Sequence, residues 1–178
     1  MAVKLTERQV EGNKLLGSAA RHILLYGGSR SGKTWLLVRA VCVRAMKASN
    51  SSHVILRFRF NHIKSSIIAQ TFPDVMAKCF PGVKYRLDKT DWFAELANGS
   101  KIWFGGLDDK ERTEKILGQE HATIYLNECS QIGYDARNKA MTRLAQKCPL
   151  DQQPPGADPN NPVYLPLKAY YDCNLCLL

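Results

Sequence analysis

The sequence predicts an α/β fold built on a largely parallel sheet. Three observations point there. Apolar runs with strand character alternate with segments of helical period along most of the chain. A glycine- and serine-rich turn, Gly27-Gly28-Ser29-Arg30-Ser31-Gly32-Lys33-Thr34, joins the first of those strands directly to a helix. A later apolar run, residues 122–126, has the length and composition of a strand buried on both faces. The chain has 178 residues. That is single-domain size, enough to bury about 70% of the unfolded surface without metals or disulfides.

Each element has a local reason. Thr6, with Gln9 three residues on, has the spacing of a capping box, so a helix is expected over residues 4–20. His22-Ile23-Leu24-Leu25-Tyr26 is a strand ended by glycine, and residues 33–47 keep helical period through Leu36, Leu37 and Val41. His53-Val54-Ile55-Leu56-Arg57-Phe58 is a second strand. Residues 63–80 read as a helix broken near Pro73, because proline lacks the N–H and its ring crowds the preceding turn. Residues 84–87, 92–96 and 101–104 are short strands, the last two joined by an Asn98-Gly99 turn. A charged helix over 107–117, a buried strand over 122–126, a helix over 134–147 and a strand over 167–173 complete the alternation. Residues 149–166 hold six of the eight prolines and read as a long surface loop.

Lys plus Arg number 25 against 16 Asp plus Glu, a net charge of +9 that favours a polyanionic partner, with nucleic acid the natural candidate. Within residues 134–147, Lys139, Arg143 and Lys147 recur at intervals of four. On one helix they would form a basic stripe able to track phosphates without reading sequence, or else an ordinary solvated face. Six cysteines are scattered, with Cys42 and Cys129 in segments expected to be buried. Cys173-x-x-Cys176 lacks the further ligands that zinc requires, so reduced thiols are expected. The N-terminus has no apolar leader, and no stretch approaches the roughly 20 apolar residues that span a bilayer. A soluble intracellular protein is the expectation.

The chemistry concentrates at residues 27–34. Gly27 through Thr34 match G-x-x-x-x-G-K-[ST] between a strand and a helix. Small residues let consecutive N–H groups wrap phosphate oxygens, the helix N-terminus adds its positive end, Lys33 reaches the β- and γ-phosphates, and the Thr34 hydroxyl ligates Mg²⁺. A glycine turn that merely caps a helix is the plainer alternative. Hydrolysis also needs a carboxylate at the end of a neighbouring buried strand. Ala122-Thr123-Ile124-Tyr125-Leu126-Asn127-Glu128 supplies one. Glu128 is the expected water-orienting base. Asn127 stands where an aspartate is usual, and its amide can reach a metal through water but adds no charge.

Four motifs together, Gly27 to Thr34, Gly106-Leu107-Asp108-Asp109-Lys110-Glu111-Arg112 with Ile116-Leu117-Gly118, Tyr125-Leu126-Asn127-Glu128-Cys129-Ser130, and Tyr170-Tyr171-Asp172-Cys173-Asn174, run over nearly the whole chain. In order and spacing they resemble the N-terminal ATPase domain of tailed-phage terminase large subunits. The resemblance implies a RecA-like P-loop fold, ATP and Mg²⁺ as cofactors, and hydrolysis that drives double-stranded viral DNA through a portal into a procapsid. It implies a portal protein and a small terminase subunit as partners, a homo-oligomeric ring, no membrane, and the cytoplasm of a bacterial host. By resemblance Gln9 reads adenine, although it also fits the capping box. Glu128 is the catalytic glutamate, and Asn174 belongs to the motif coupling hydrolysis to motion. Arg30 contacts phosphate or acts as a finger, with Arg57, Arg59 and Arg112 as other candidates. The family continues into a metal-binding nuclease domain, whereas here Leu175-Cys176-Leu177-Leu178 closes the sequence. One ATPase domain over 1–178, C-terminally truncated and without the nuclease, is therefore expected. A catalytically slow nucleotide-binding and assembly module is the second reading. A small-molecule kinase is disfavoured, because residues 149–166 offer no Lys or Arg for a lid.

Overall fold

The computed structural model describes residues 4–108 and 110–174, with the backbone alone at 110 and 112. Its strands are β1 (His22–Gly27), β2 (Ser52–Arg57), β3 (Tyr85–Asp88), β4 (Phe93–Leu96), β5 (Lys101–Gly106), β6 (Thr123–Leu126) and β7 (Lys168–Asn174). They form one sheet in the order β1-β7-β6-β2-β5-β4-β3. The first five in that order run parallel, and β4 and β3 add an antiparallel hairpin edge. The RecA-like, mostly parallel α/β class therefore holds. At the β4–β5 connection Gly99 takes φ +79°, the left-handed turn geometry its Asn-Gly sequence suits.

The helices are α1 (Glu7–Leu16), α2 (Lys33–Lys47), α3 (Phe60–Ile63), α4 (Phe72–Cys79), α5 (Lys110–Leu117) and α6 (Tyr134–Met141). Strand alternation decides what each face of the sheet meets. Ile55, Phe104, Tyr125 and Tyr170 join the core under α1, α2 and residues 60–79, whereas Val54, Leu56, Trp103, Ile124, Leu126 and Ala169 pack with Leu117 and Ala140. Burying each such Ile or Leu is worth about 2 kcal/mol over leaving it exposed. Two cations tie the sheet to its surroundings. Buried Arg44 of α2 donates to Thr123 Oγ1 at 2.7 Å and to the Pro166 carbonyl, and Lys168 donates to the Leu16 and Ser18 carbonyls. Lys168 thereby supplies positive charge at the C-terminal end of α1.

Two expectations need correction. The run expected to break at Pro73 stays helical from Phe60 to Cys79, because a π-helical stretch, Lys64–Thr71, lies before it. There the Phe72 N–H reaches back five residues to Ile67 O, and Pro73 falls in the first turn of α4, where its missing N–H costs little. The helix expected over 134–147 stops at Met141. His121 captures the next residues of the chain: its N–H donates to Arg143 O at 2.7 Å, and its carbonyl accepts from Ala145 N at 3.1 Å. Lys139, Arg143 and Lys147 are exposed, but they do not share one helix face.

Residues 149–166 contain no helix or strand beyond a Pro149–Tyr164 bridge, and Ser49 donates to Asp151 through both N and Oγ. Cys42 and Cys148 are buried and Cys129 half buried. Burial pushes the Cys129 thiol up to about 11. Cys176 lies outside the described residues. Among the described residues no helix is long and apolar enough to cross a membrane.

Candidate nucleotide site

Parallel strands deliver their C-terminal ends to one edge of a sheet, where open α/β folds place ligands. Here β7 lies between β1 and β6, with Gly27 opposite Asn174 and Leu126 opposite Tyr171. The phosphate-loop motif, the Asn127-Glu128 pair and the end of β7 therefore meet, although the last is 141 positions from Lys33.

In the loop, Gly32 adopts φ +82° at the entrance to α2, and a side chain there would run into the Gln9 amide. The glycine thus serves both backbone geometry and close approach of α1. Lys33 Nζ has four acceptors in reach: Gly28 O at 2.7 Å, Gly27 O at 3.1 Å, Ser31 Oγ at 3.1 Å and Asn174 Oδ1 at 3.2 Å. Ser29 and Arg30 sit exposed at the loop tip, Arg30 with a left-handed φ of 62°.

Gln9 does two things at once. It completes the capping box, accepting the Thr6 N–H on Oε1 at 3.0 Å while its own N–H donates to Thr6 Oγ1. Its Nε2 donates to Ser31 O in the loop at 3.4 Å. A cleft of about 420 Å³ opens beside it, lined by Gln9, Gly12, Leu15, Leu25, Tyr26 and Lys33. A larger cavity of about 720 Å³ shares none of these residues and lies between α1, α2 and the start of β7.

The acidic side holds a feature that local spacing does not reveal. Asp172, on β7, is 3% exposed and accepts from Thr34 Oγ1 at 3.2 Å, from Asn127 Nδ2 at 3.0 and 3.2 Å, and from the Glu128 N–H at 2.8 Å. Burial pushes its carboxyl above the usual range, and these hydrogen bonds to the ionised form oppose the shift. Asn127 is 1% exposed and also donates to Tyr125 Oη, while its Oδ1 has no partner. Glu128 pairs with Arg57 at 3.0 Å and accepts from Gln131 Nε2 at 3.1 Å. Its backbone is left-handed, φ 50° and ψ 54°, a conformation that costs a non-glycine residue about 1–2 kcal/mol.

The chain matches the family model for the phage terminase large subunit over residues 19–154. It belongs to that family. No curated protein matches the terminase chain, but solved structures do. The large terminase of a thermophilic bacteriophage matches with a TM-score of 0.74 at 14% identity, over 96% of this chain and 39% of that one. The same thermophilic-phage protein solved with ADP gives 0.69 at 11% identity, over 96% and 39%. The Phi-28 gp11 DNA packaging motor gives 0.52 at 13% identity, over 91% and 48%. The terminase chain thus spans about two fifths of the thermophilic-phage protein.

Among the residues singled out from sequence, the fold brings Lys33, Thr34, Asn127, Glu128 and Asn174 to one sheet edge, with Gln9 against the loop. It does not place Lys139, Arg143 and Lys147 on one helix, since α6 ends at Met141. Of the other finger candidates, Arg57 is engaged by Glu128, Arg59 is exposed, and the Arg112 side chain lies outside the described residues. Asp172 was missed. The only sequence signal for it was a lone acid in a strand whose one other charge is Lys168, two residues before Asn174.

Proposed function

We propose that the terminase chain binds and hydrolyses ATP at this edge and powers movement of double-stranded DNA. The observation that carries it is the convergence of Lys33 and Thr34 with Glu128 and Asn174 across β1, β7 and β6. The loop N–H groups and Lys33 bind the β- and γ-phosphates, releasing the lysine from its loop carbonyls. Glu128, at the rim beside Arg57, orients the attacking water and takes its proton. Gln9 and the adjoining cleft hold adenine. Asn174, within reach of Lys33, passes the presence of phosphate to β7. Arg30 at the loop tip contacts phosphate.

The residues present fit Mg²⁺. Thr34 offers a hydroxyl, and Asn127 offers a buried oxygen without a partner, suited to a metal-held water. Among the described residues no group of three or more His, Cys, Asp or Glu is placed to hold a metal by itself. The ion therefore depends on the nucleotide phosphates for much of its coordination, and when bound it neutralises charge on them. Double-stranded DNA, a portal protein, a small terminase subunit and sister subunits in a ring are the partners we assign, in the cytoplasm of a bacterial host. The net charge of +9 suits a nucleic-acid partner.

Steady-state phosphate release with MgATP, with and without double-stranded DNA, tests this beside Lys33→Ala and Glu128→Gln. Turnover abolished by both substitutions supports the ATPase. Nucleotide binding without turnover leaves the slow assembly module.

A further inference from the structure

The nucleotide site has a charge problem. Asn127 occupies the position expected to carry the metal-side carboxylate, and an amide cannot neutralise a divalent cation. The structure holds a carboxylate nearby on a different strand. Asp172 reaches the same point because β7 is inserted between the phosphate-loop strand and β6, with Leu25 of β1 as its register partner on one side. The groups that donate to it, the Thr34 hydroxyl, the Asn127 amide, the Glu128 N–H and the Tyr125 hydroxyl, are neutral. Among the described residues no Lys or Arg forms an ion pair with it. A carboxylate this buried with only dipoles around it is costly unless a cation completes its surroundings.

Two details fix the orientation of the groups around it. Asn127 must turn Nδ2 toward Asp172, since the reverse would set two acceptors against each other. That leaves Oδ1, fully buried, as the orphaned acceptor. Thr34 gives its hydroxyl proton to Asp172, so the lone pairs of the threonine oxygen remain for a cation. Thr34, Asn127 and Asp172 thus form one hydrogen-bonded unit with an unused oxygen on two of its members and an unneutralised charge on the third.

We propose that Asp172 supplies the carboxylate for nucleotide-bound Mg²⁺ at this site, acting from β7 in place of an aspartate at position 127. The assignment rests on reading residues 27–34 as a magnesium-nucleotide site. It separates two jobs usually done by neighbouring residues on one strand: Glu128 on β6 handles water, and Asp172 on β7 handles the cation. Because Asp172 also holds the Glu128 N–H, cation binding and the placement of the glutamate share one anchor.

The test is ADP affinity, by calorimetry, with Mg²⁺ and with EDTA, together with Mn²⁺ binding in the presence of ADP by electron paramagnetic resonance. Wild type is expected to bind ADP at least about tenfold more tightly with Mg²⁺, a difference of about 1.4 kcal/mol. Asp172→Asn is expected to lose that enhancement and the bound Mn²⁺ signal while keeping metal-free ADP affinity. The exchanged pair Asn127→Asp with Asp172→Asn is expected to recover both. Asp172→Ser, which keeps an acceptor for the Glu128 N–H, serves if Asp172→Asn does not fold. Undiminished Mg²⁺ enhancement and Mn²⁺ signal in either Asp172 variant overturns the assignment and leaves Asp172 a structural anchor. A wild-type chain that binds no ADP, with or without Mg²⁺, overturns the nucleotide reading itself.

Discussion

The ammonium of Lys33 lies 3.2 Å from the amide oxygen of Asn174. Three loop acceptors share that ammonium, so on the proposed function Asn174 is one contact among four that an arriving phosphate would exchange. Asn174→Ala should leave ATP affinity within about threefold, because hydrogen bonds to a charged group that are exchanged on binding contribute little net. Turnover should fall at least tenfold by the same order-of-magnitude scale if β7 reports phosphate occupancy. Lys33→Ala should weaken ATP about a hundredfold or more. Calorimetry and phosphate release on the same preparations separate the two effects.

Glu128 is held by Arg57 and Gln131 on a strained backbone, so both its charge and its position matter. Glu128→Gln should cut single-turnover hydrolysis about 10²-fold or more, the usual range for a general base, with ATP affinity nearly unchanged. Arg57→Ala should cut it about tenfold by freeing the glutamate from its position. Faster hydrolysis in Arg57→Ala would instead show that the pair restrains the glutamate.

Thr6 and Gln9 separate capping from base recognition. Thr6→Ala and Gln9→Ala should each lower stability by about 1 kcal/mol, as loss of a capping box does. Only Gln9→Ala should also erode the preference for ATP over GTP, since only Gln9 borders the cleft beside the loop. Urea melts and competition binding give the two readouts.

His121 is buried between the Ser52 hydroxyl at 2.8 Å and the Ile116 carbonyl at 3.1 Å, which fits a neutral ring carrying its proton on Nε2. Burial lowers its pKa to about 4 from 6.5. The unfolded chain therefore takes up the proton first. The stability involved is fully present above pH 6.5 and lost as pH falls from 6.5 to about 4, up to about 3 kcal/mol in all. His53, whose pKa burial also lowers, adds a loss of the same sign. Urea midpoints between pH 7 and 4 should fall accordingly, and His121→Gln should flatten part of that slope.

What could be read from the chain depended on how far apart the cooperating residues lie. The phosphate loop, the Thr6–Gln9 capping box and the span of α2 were legible because each is set by neighbours within a few positions. The position of Glu128 was legible because it follows directly on an apolar strand. The overlong helix after Tyr134 was a failure of local period: Leu144 keeps helical spacing, yet its neighbours are claimed by His121, more than twenty positions away. The π-helical stretch before Pro73 has no period signal in so short a segment. The place of Asp172 in the site was not legible for a topological reason, since its meeting with Thr34 and Asn127 depends on β7 entering between two earlier strands.

That insertion also sets an order of events during synthesis. Among the described residues β1 pairs only with β7, so the strand leading into the phosphate loop leaves the ribosome long before its one sheet partner exists. Until Asn174 has emerged, β1 and β6 are two unsatisfied edges with a gap between them, the kind of surface that chaperones and aggregates both recognise. The edge that gathers Lys33, Asn127, Glu128 and Asn174 is therefore complete only late, when β7 closes the gap.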